Sequence, residues 1–150
     1  MSFFDKLKNG ANSALTGMGN GLSRFRNSDL LPAIASSLGL MVAADGKIET
    51  SEIDGVMDFC ANDPLLQAWA LDVRTKAFED ALESAGKGPI RQAGLLGKIA
   101  KLKGKAEAET LVQLVLAVAN ADGDFAKEEV VMFKRICNAA GLKSSDYGVA

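Results

Sequence analysis

From residue 28 onward the apolar positions recur every three or four residues, and no segment alternates with period two. That spacing predicts helices and no sheet. Ser28 or Asp29 can cap a helix running to about Ala44, with Leu31, Ile34, Leu38 and Met41 on one face. A second helix is expected over about 50–60, with Ile53, Val56, Met57 and Cys60 inward. Asp63 and Pro64 restart a helix, because proline suits a first turn, and further helical patterns cover 72–84 and roughly 89–103. The strongest pattern spans 106–120. There Leu111, Leu114, Val115 and Val118 are almost surrounded by other apolar residues, as in a central buried helix. A last helix over about 126–140 stops at Gly141, a natural C-terminal cap. The expected fold is all-α, a single-domain bundle of about seven helices.

Residues 1–27 read differently. Phe3, Phe4, Leu7, Ala11, Ala14, Leu15, Met18 and Leu22 recur at helical spacing, but Gly10, Gly17, Gly19, Gly21, Asn12 and Asn20 interrupt them. A loosely ordered amphipathic arm is expected there, ahead of a domain over 28–150.

Two segments of the domain repeat in register. Leu40 to Ile53 and Ala117 to Val130 share an apolar helix end, Ala-Asp-Gly, one residue, a large apolar residue and an acidic helix start. The offset between Asp45 and Asp122 is 77, and it also carries Cys60 onto Cys137. The bundle is therefore expected to hold two pseudo-symmetric helix–loop–helix halves. Glycine permits the positive φ that reverses the chain. Ile48 and Phe125 plug each turn into the core. Glu52 and Glu129 fall in the first turn of the next helix, where free N–H groups and the helix dipole favour anions by about 0.3–1 kcal/mol.

The same turns resemble the second half of an EF-hand loop, with Asp45 at its fifth position and Glu52 at its twelfth. The first half is missing: Met41 and Ala43, or Val118 and Asn120, stand where oxygen ligands belong. Calcium wants six to eight oxygens, so a true EF-hand is excluded. What stays open is a weaker site for Ca2+ or another divalent cation, if the turns face each other and pool Asp45, Glu49, Glu52, Asp122, Asp124, Glu128 and Glu129. The alternative is that these carboxylates only cap helices.

The 150 residues are 48% hydrophobic, enough for one core without staples. The net charge is −2, but it is unevenly placed. Residues 1–26 carry +3, residues 45–83 carry ten acids against three bases, and residues 84–106 carry six bases and no acid. Such a dipolar surface favours an oriented partner, and the acidic total argues against nucleic acid. With no histidine and no CxxC, neither zinc nor thioredoxin-like chemistry is suggested. Cys60 and Cys137 lie on apolar faces and are expected to pack. The N-terminus lacks signal-peptide order, and the longest apolar run, Leu114 to Ala119, is far too short to cross a bilayer. A cytoplasmic location is expected. No nucleophile with a base, no acid–base pair and no phosphate-binding loop stands out, so no enzymatic activity is expected.

The opening Met-Ser-Phe-Phe-Asp-Lys-Leu-Lys, the segment Arg24-Phe25-Arg26-Asn27, the paired Asp-Gly turns, Ala140-Gly141-Leu142 and the final Asp146-Tyr147-Gly148 resemble the TerB-like family of tellurite resistance proteins. Residues 62–105 match the family's pattern weakly. The resemblance implies an all-helical fold of two pseudo-symmetric halves. It also implies a part in bacterial stress resistance beside TerC- and TerD-type proteins, as an adaptor or metal-sensing component. The alternative is a metal-independent helical scaffold for a membrane-associated complex. At the helix caps this chain departs from the family. Glu49-Thr50 and Ala126-Lys127 stand where relatives tend to place serine, and Ala126 offers no capping oxygen.

Two surfaces are candidates for partner contact. Phe3, Phe4 and Leu7 could touch a membrane surface peripherally, although their apolar area is small. Lys98, Lys101 and Lys103, interleaved with Ile90, Leu95, Leu96, Ile99 and Leu102, could meet an acidic partner or anionic lipid.

Overall fold

The computed structural model describes residues 29–46, 48–62, 66–120 and 125–149. Six α-helices appear among them: α1 (Leu30–Val42), α2 (Thr50–Asn62), α3 (Leu71–Ala85), α4 (Pro89–Ala100), α5 (Ala106–Ala119) and α6 (Lys127–Ala139). Short 3-10 turns follow α1 (Ala43–Asp45) and α6 (Ser144–Tyr147), and no strand occurs among the described residues. The N-terminal arm, with Phe3, Phe4 and Leu7, lies outside the described residues. Of the expected restart at Asp63 and Pro64, residues 63–65 also lie outside them. Leu66 to Ala70 turns instead of continuing a helix, and α3 starts at Leu71.

The centre of the bundle is α1, not the 106–120 helix. All thirteen of its residues except Pro32 are buried, and it packs against α3, α4, α5 and α6. The reason lies in composition: no charged residue occurs between Asp29 and Asp45, so every face of α1 can be covered. By contrast, α5 buries Leu111, Val112, Leu114, Val115 and Val118 but exposes Glu109 and Gln113. Ser36 and Ser37 are the buried polar side chains of α1. Helix α1 approaches α3 tightly at Gly39, where a Cβ would lie 3.3 Å from the Ala81 carbonyl oxygen.

The repeat is visible in the helix ends. A shift of 77 carries α2 onto α6 residue for residue, and α1 onto α5 apart from one extra residue at the α5 start. Val56 and Phe133, and likewise Cys60 and Cys137, occupy matching buried positions. Helix α6 ends as its sequence requires. Gly141 takes φ +76, the Leu142 N–H donates to the Cys137 carbonyl at 2.8 Å, and the Gly141 N–H donates to Asn138 at 3.1 Å.

One apolar residue does not sit where periodicity puts it. Ile53, expected inward, is 38% exposed, because α2 packs mainly on α3 through Val56 and Cys60. Ile90 is 87% exposed at the start of α4, half a turn round the helix from the buried Ile99. Trp69 is half-buried and packs against the core. No described helix is long and apolar enough to cross a membrane.

The acidic turns

The first turn grows directly out of α1. Ala43–Asp45 tightens into a 3-10 turn, Gly46 closes it with φ +108, and its N–H donates to the Ala43 carbonyl at 3.0 Å. Ile48 is half-buried against the core, with its Cδ1 close to Gly86 at the end of α3. Glu52 then reaches back: its Oε1 accepts the Glu49 backbone N–H at 3.0 Å. That is one half of a capping box, in which a third-position glutamate satisfies a donor ahead of the helix.

The second turn repeats the device. Phe125 is half-buried and meets Phe133 edge-to-face, with centroids 5.8 Å apart and planes at 70°. Glu129 Oε1 accepts the Ala126 N–H at 3.4 Å, the counterpart of Glu52 accepting from Glu49. Only this half of the box exists, since alanine has no oxygen to return to the helix. Glu129 is 4% exposed, whereas Glu52 is half-buried and Glu128 is exposed. Removing either cap should therefore be unequal in cost. Glu129→Ala is expected to lower stability by about 1–2 kcal/mol and Glu52→Ala by less, read as shifts in urea midpoint. Equal shifts would show that burial does not strengthen the Glu129 cap.

Asp45 and Glu49 are exposed at the first turn, and Asp122 and Asp124 lie outside the described residues. Among the described residues, no group of three or more Asp, Glu, Cys or His side chains is close enough to share a metal ion. The first turn alone offers Asp45, Glu49 and Glu52, with one Glu52 oxygen engaged by its own helix. Three carboxylates fall short of a calcium cage.

On the basic stretch, Lys98 is half-buried on α4 while Lys101 and Lys103 are exposed in the turn after it. The aliphatic stem of Lys103 lies over Gly141, the α6 cap. The three lysines thus do not form one uniform face. Lys105 lies 4.0 Å from Asp29 at the α1 start.

Arg74 was not singled out by its sequence, yet it is 5% exposed, inside α3. Its Nη1 donates to the Leu66 carbonyl at 3.2 Å, tying the 66–70 turn to the helix, and its Nε has no hydrogen-bond partner among the described residues. The signal was available: Arg74, Phe78, Ala81, Leu82 and Ala85 form one helical stripe.

Both cysteines are buried free thiols. Burial pushes the Cys137 thiol from 9.0 to about 11. It raises Cys60 too, partly offset by the nearby Arg74 guanidinium. A thiol held neutral by folding stabilises the fold fully below its unfolded value of 9.0, and that contribution is lost as pH climbs through about 11. Wild-type melting temperature should accordingly fall between those values more steeply than that of Cys137→Ala, as read by circular dichroism. Parallel curves would mean that the thiol does not titrate with unfolding.

No curated protein and no solved structure matches the chain. The family profile described as tellurite resistance protein TerB matches residues 31–150, from the second residue of α1 through α6 and beyond. The chain therefore belongs to the TerB family, and a role related to tellurite resistance comes with that membership.

Proposed function

We propose that this protein is a non-enzymatic interaction module of a bacterial tellurite-resistance and stress-response system, acting on the cytoplasmic side beside TerC- and TerD-type proteins. The observation that carries the reading is the division of labour among its charges. Glu52 and Glu129 are engaged in holding helix starts, while cations and carboxylates of opposite sign stand exposed on neighbouring helices. Such a surface orients a partner. The chain has no histidine, and both thiols are buried with raised pKa values, which supports a non-catalytic role.

In a tellurite-sensitive host lacking its own TerB-like protein, the chain is expected to restore growth on tellurite together with TerC- and TerD-type partners. It should also co-purify with at least one of them. Growth without any physical association would defeat the adaptor reading.

A second reading is a weak divalent-cation site at the acidic turns, favoured by the recurrence of carboxylates at both turns with the same offset. Millimolar calcium or magnesium would then raise the melting temperature and shift amide resonances at 45–52 and 122–129 only. Unchanged spectra would leave a metal-independent scaffold.

A further inference from the structure

Gly94 and Gly97 sit in the middle of α4, and no described residue presses on either. Neither has positive φ, and a Cβ at either would meet nothing within 4 Å among the described residues. Gly39 is the contrast, pressed against Ala81. A glycine in a helix interior is less favourable than alanine, so these two weaken α4 without close packing among the described residues in return. Both are exposed, and they share the outer side of α4 with Ala93, Ala100 and Ile90. Arg91, Lys98 and Lys101 flank that side. A face this low lets another backbone come close, and its rim selects an acidic one.

The chain carries a surface of that description. On α2, Ile53, Asp54 and Asp58 are exposed, with Met57 half-buried between them. Helix α3 packs against both α2 and α4, so the acidic and basic helices flank it. Four of the five exposed large hydrophobics among the described residues, Ile53, Leu71, Val73 and Ile90, lie on these three helices. A shallow groove of about 590 Å³ runs along α3 beside Leu71, Thr75 and Glu79.

We propose that a second copy of this chain docks on this layer, the α4 face of one on the α2 face of the other. A two-fold axis over α3 repeats the contact and covers Leu71 beside the groove. An isologous contact of this kind closes at two copies instead of growing into a filament. Ile53 fills the hollow over Gly94 and Gly97, and Asp54 and Asp58 face Lys98 and Lys101. The acidic α2 beside it argues against a lipid surface as the occupant.

Sedimentation velocity on the full chain over a wide concentration range tests this. Wild type should pass from monomer to dimer and dissociate at high salt. Gly97→Leu, which has room for its side chain in the monomer, should keep its helical spectrum and weaken dimerisation by about tenfold or more. Lys98→Glu with Lys101→Glu, and separately Asp54→Lys with Asp58→Lys, should each be monomeric. Mixed, the two charge-reversed chains should pair, because both contacts become complementary. A monomer at every concentration, a dimer indifferent to these variants, or a mixture that fails to pair would each overturn the proposal. So would binding to phosphatidylglycerol vesicles that Gly97→Leu abolishes in a chain that never self-associates, which would give this face to a membrane.

Discussion

Gly39→Leu is expected to cost about 3 kcal/mol or more and to lower the urea midpoint steeply. Even a lone Cβ there would sit 3.3 Å from the Ala81 oxygen and 3.4 Å from its carbonyl carbon. Those are backbone atoms inside α3, so nothing can rotate out of the way, and only separation of α1 from α3 relieves the contact. Overpacking a close-packed core costs about 1–3 kcal/mol, and a branched side chain at a backbone contact belongs at the upper end. Since a domain is stable by only about 5–15 kcal/mol, the loss is a large share of the total. Gly94→Ala is the matched control. It adds a lone Cβ where the described residues leave open space and should raise stability by about 0.5–1 kcal/mol. Urea unfolding of both variants reads the difference, and shifts of the same sign would show that the α1–α3 approach is looser than described.

Phe133→Ala ranks second. Phe133 is fully buried in α6 and makes the edge-to-face contact that seats Phe125. Truncating a buried phenylalanine costs about 3–5 kcal/mol. For a chain of this length each kcal/mol lowers the melting temperature by roughly 2–4 °C, so a drop on the order of 10 °C is expected. The consequence should extend past stability, because Phe125 loses the ring it rests on just ahead of the Ala126–Glu129 cap. Amide exchange in the first turn of α6 should therefore speed up more than exchange in α3. Uniform acceleration across both helices would mean that the plug does not hold the turn.

Much of the fold was legible because helical periodicity and glycine stops are local properties. The α6 end at Gly141 and the glutamates at 52 and 129 follow from a few neighbouring residues, and the structure has them as expected. Periodicity says which residues share a face but not which face meets a neighbour. Ile53 and Ile90 belong to apolar patterns yet point outward, and Arg74 belongs to the buried stripe of α3 despite its charge. The choice of central helix failed for a related reason. The 106–120 pattern looked richer in large aliphatics, whereas centrality went to α1, which lacks any charge that must reach water. At the acidic turns the capping role was readable because it is made within one helix start. Whether carboxylates from both turns converge depends on long-range placement, which no local pattern encodes.

The position of α1 also limits how this protein can be dissected. Its sides are covered by α3 and α4 from its own half and by α5 and α6 from the other. A fragment severed in the turn before α5 would keep α3 and α4 on α1 but uncover the apolar, uncharged sides that α5 and α6 bury, and would be expected to aggregate. The repeated halves are duplicates in sequence but not autonomous folding units, so partner mapping requires point substitutions in the intact chain.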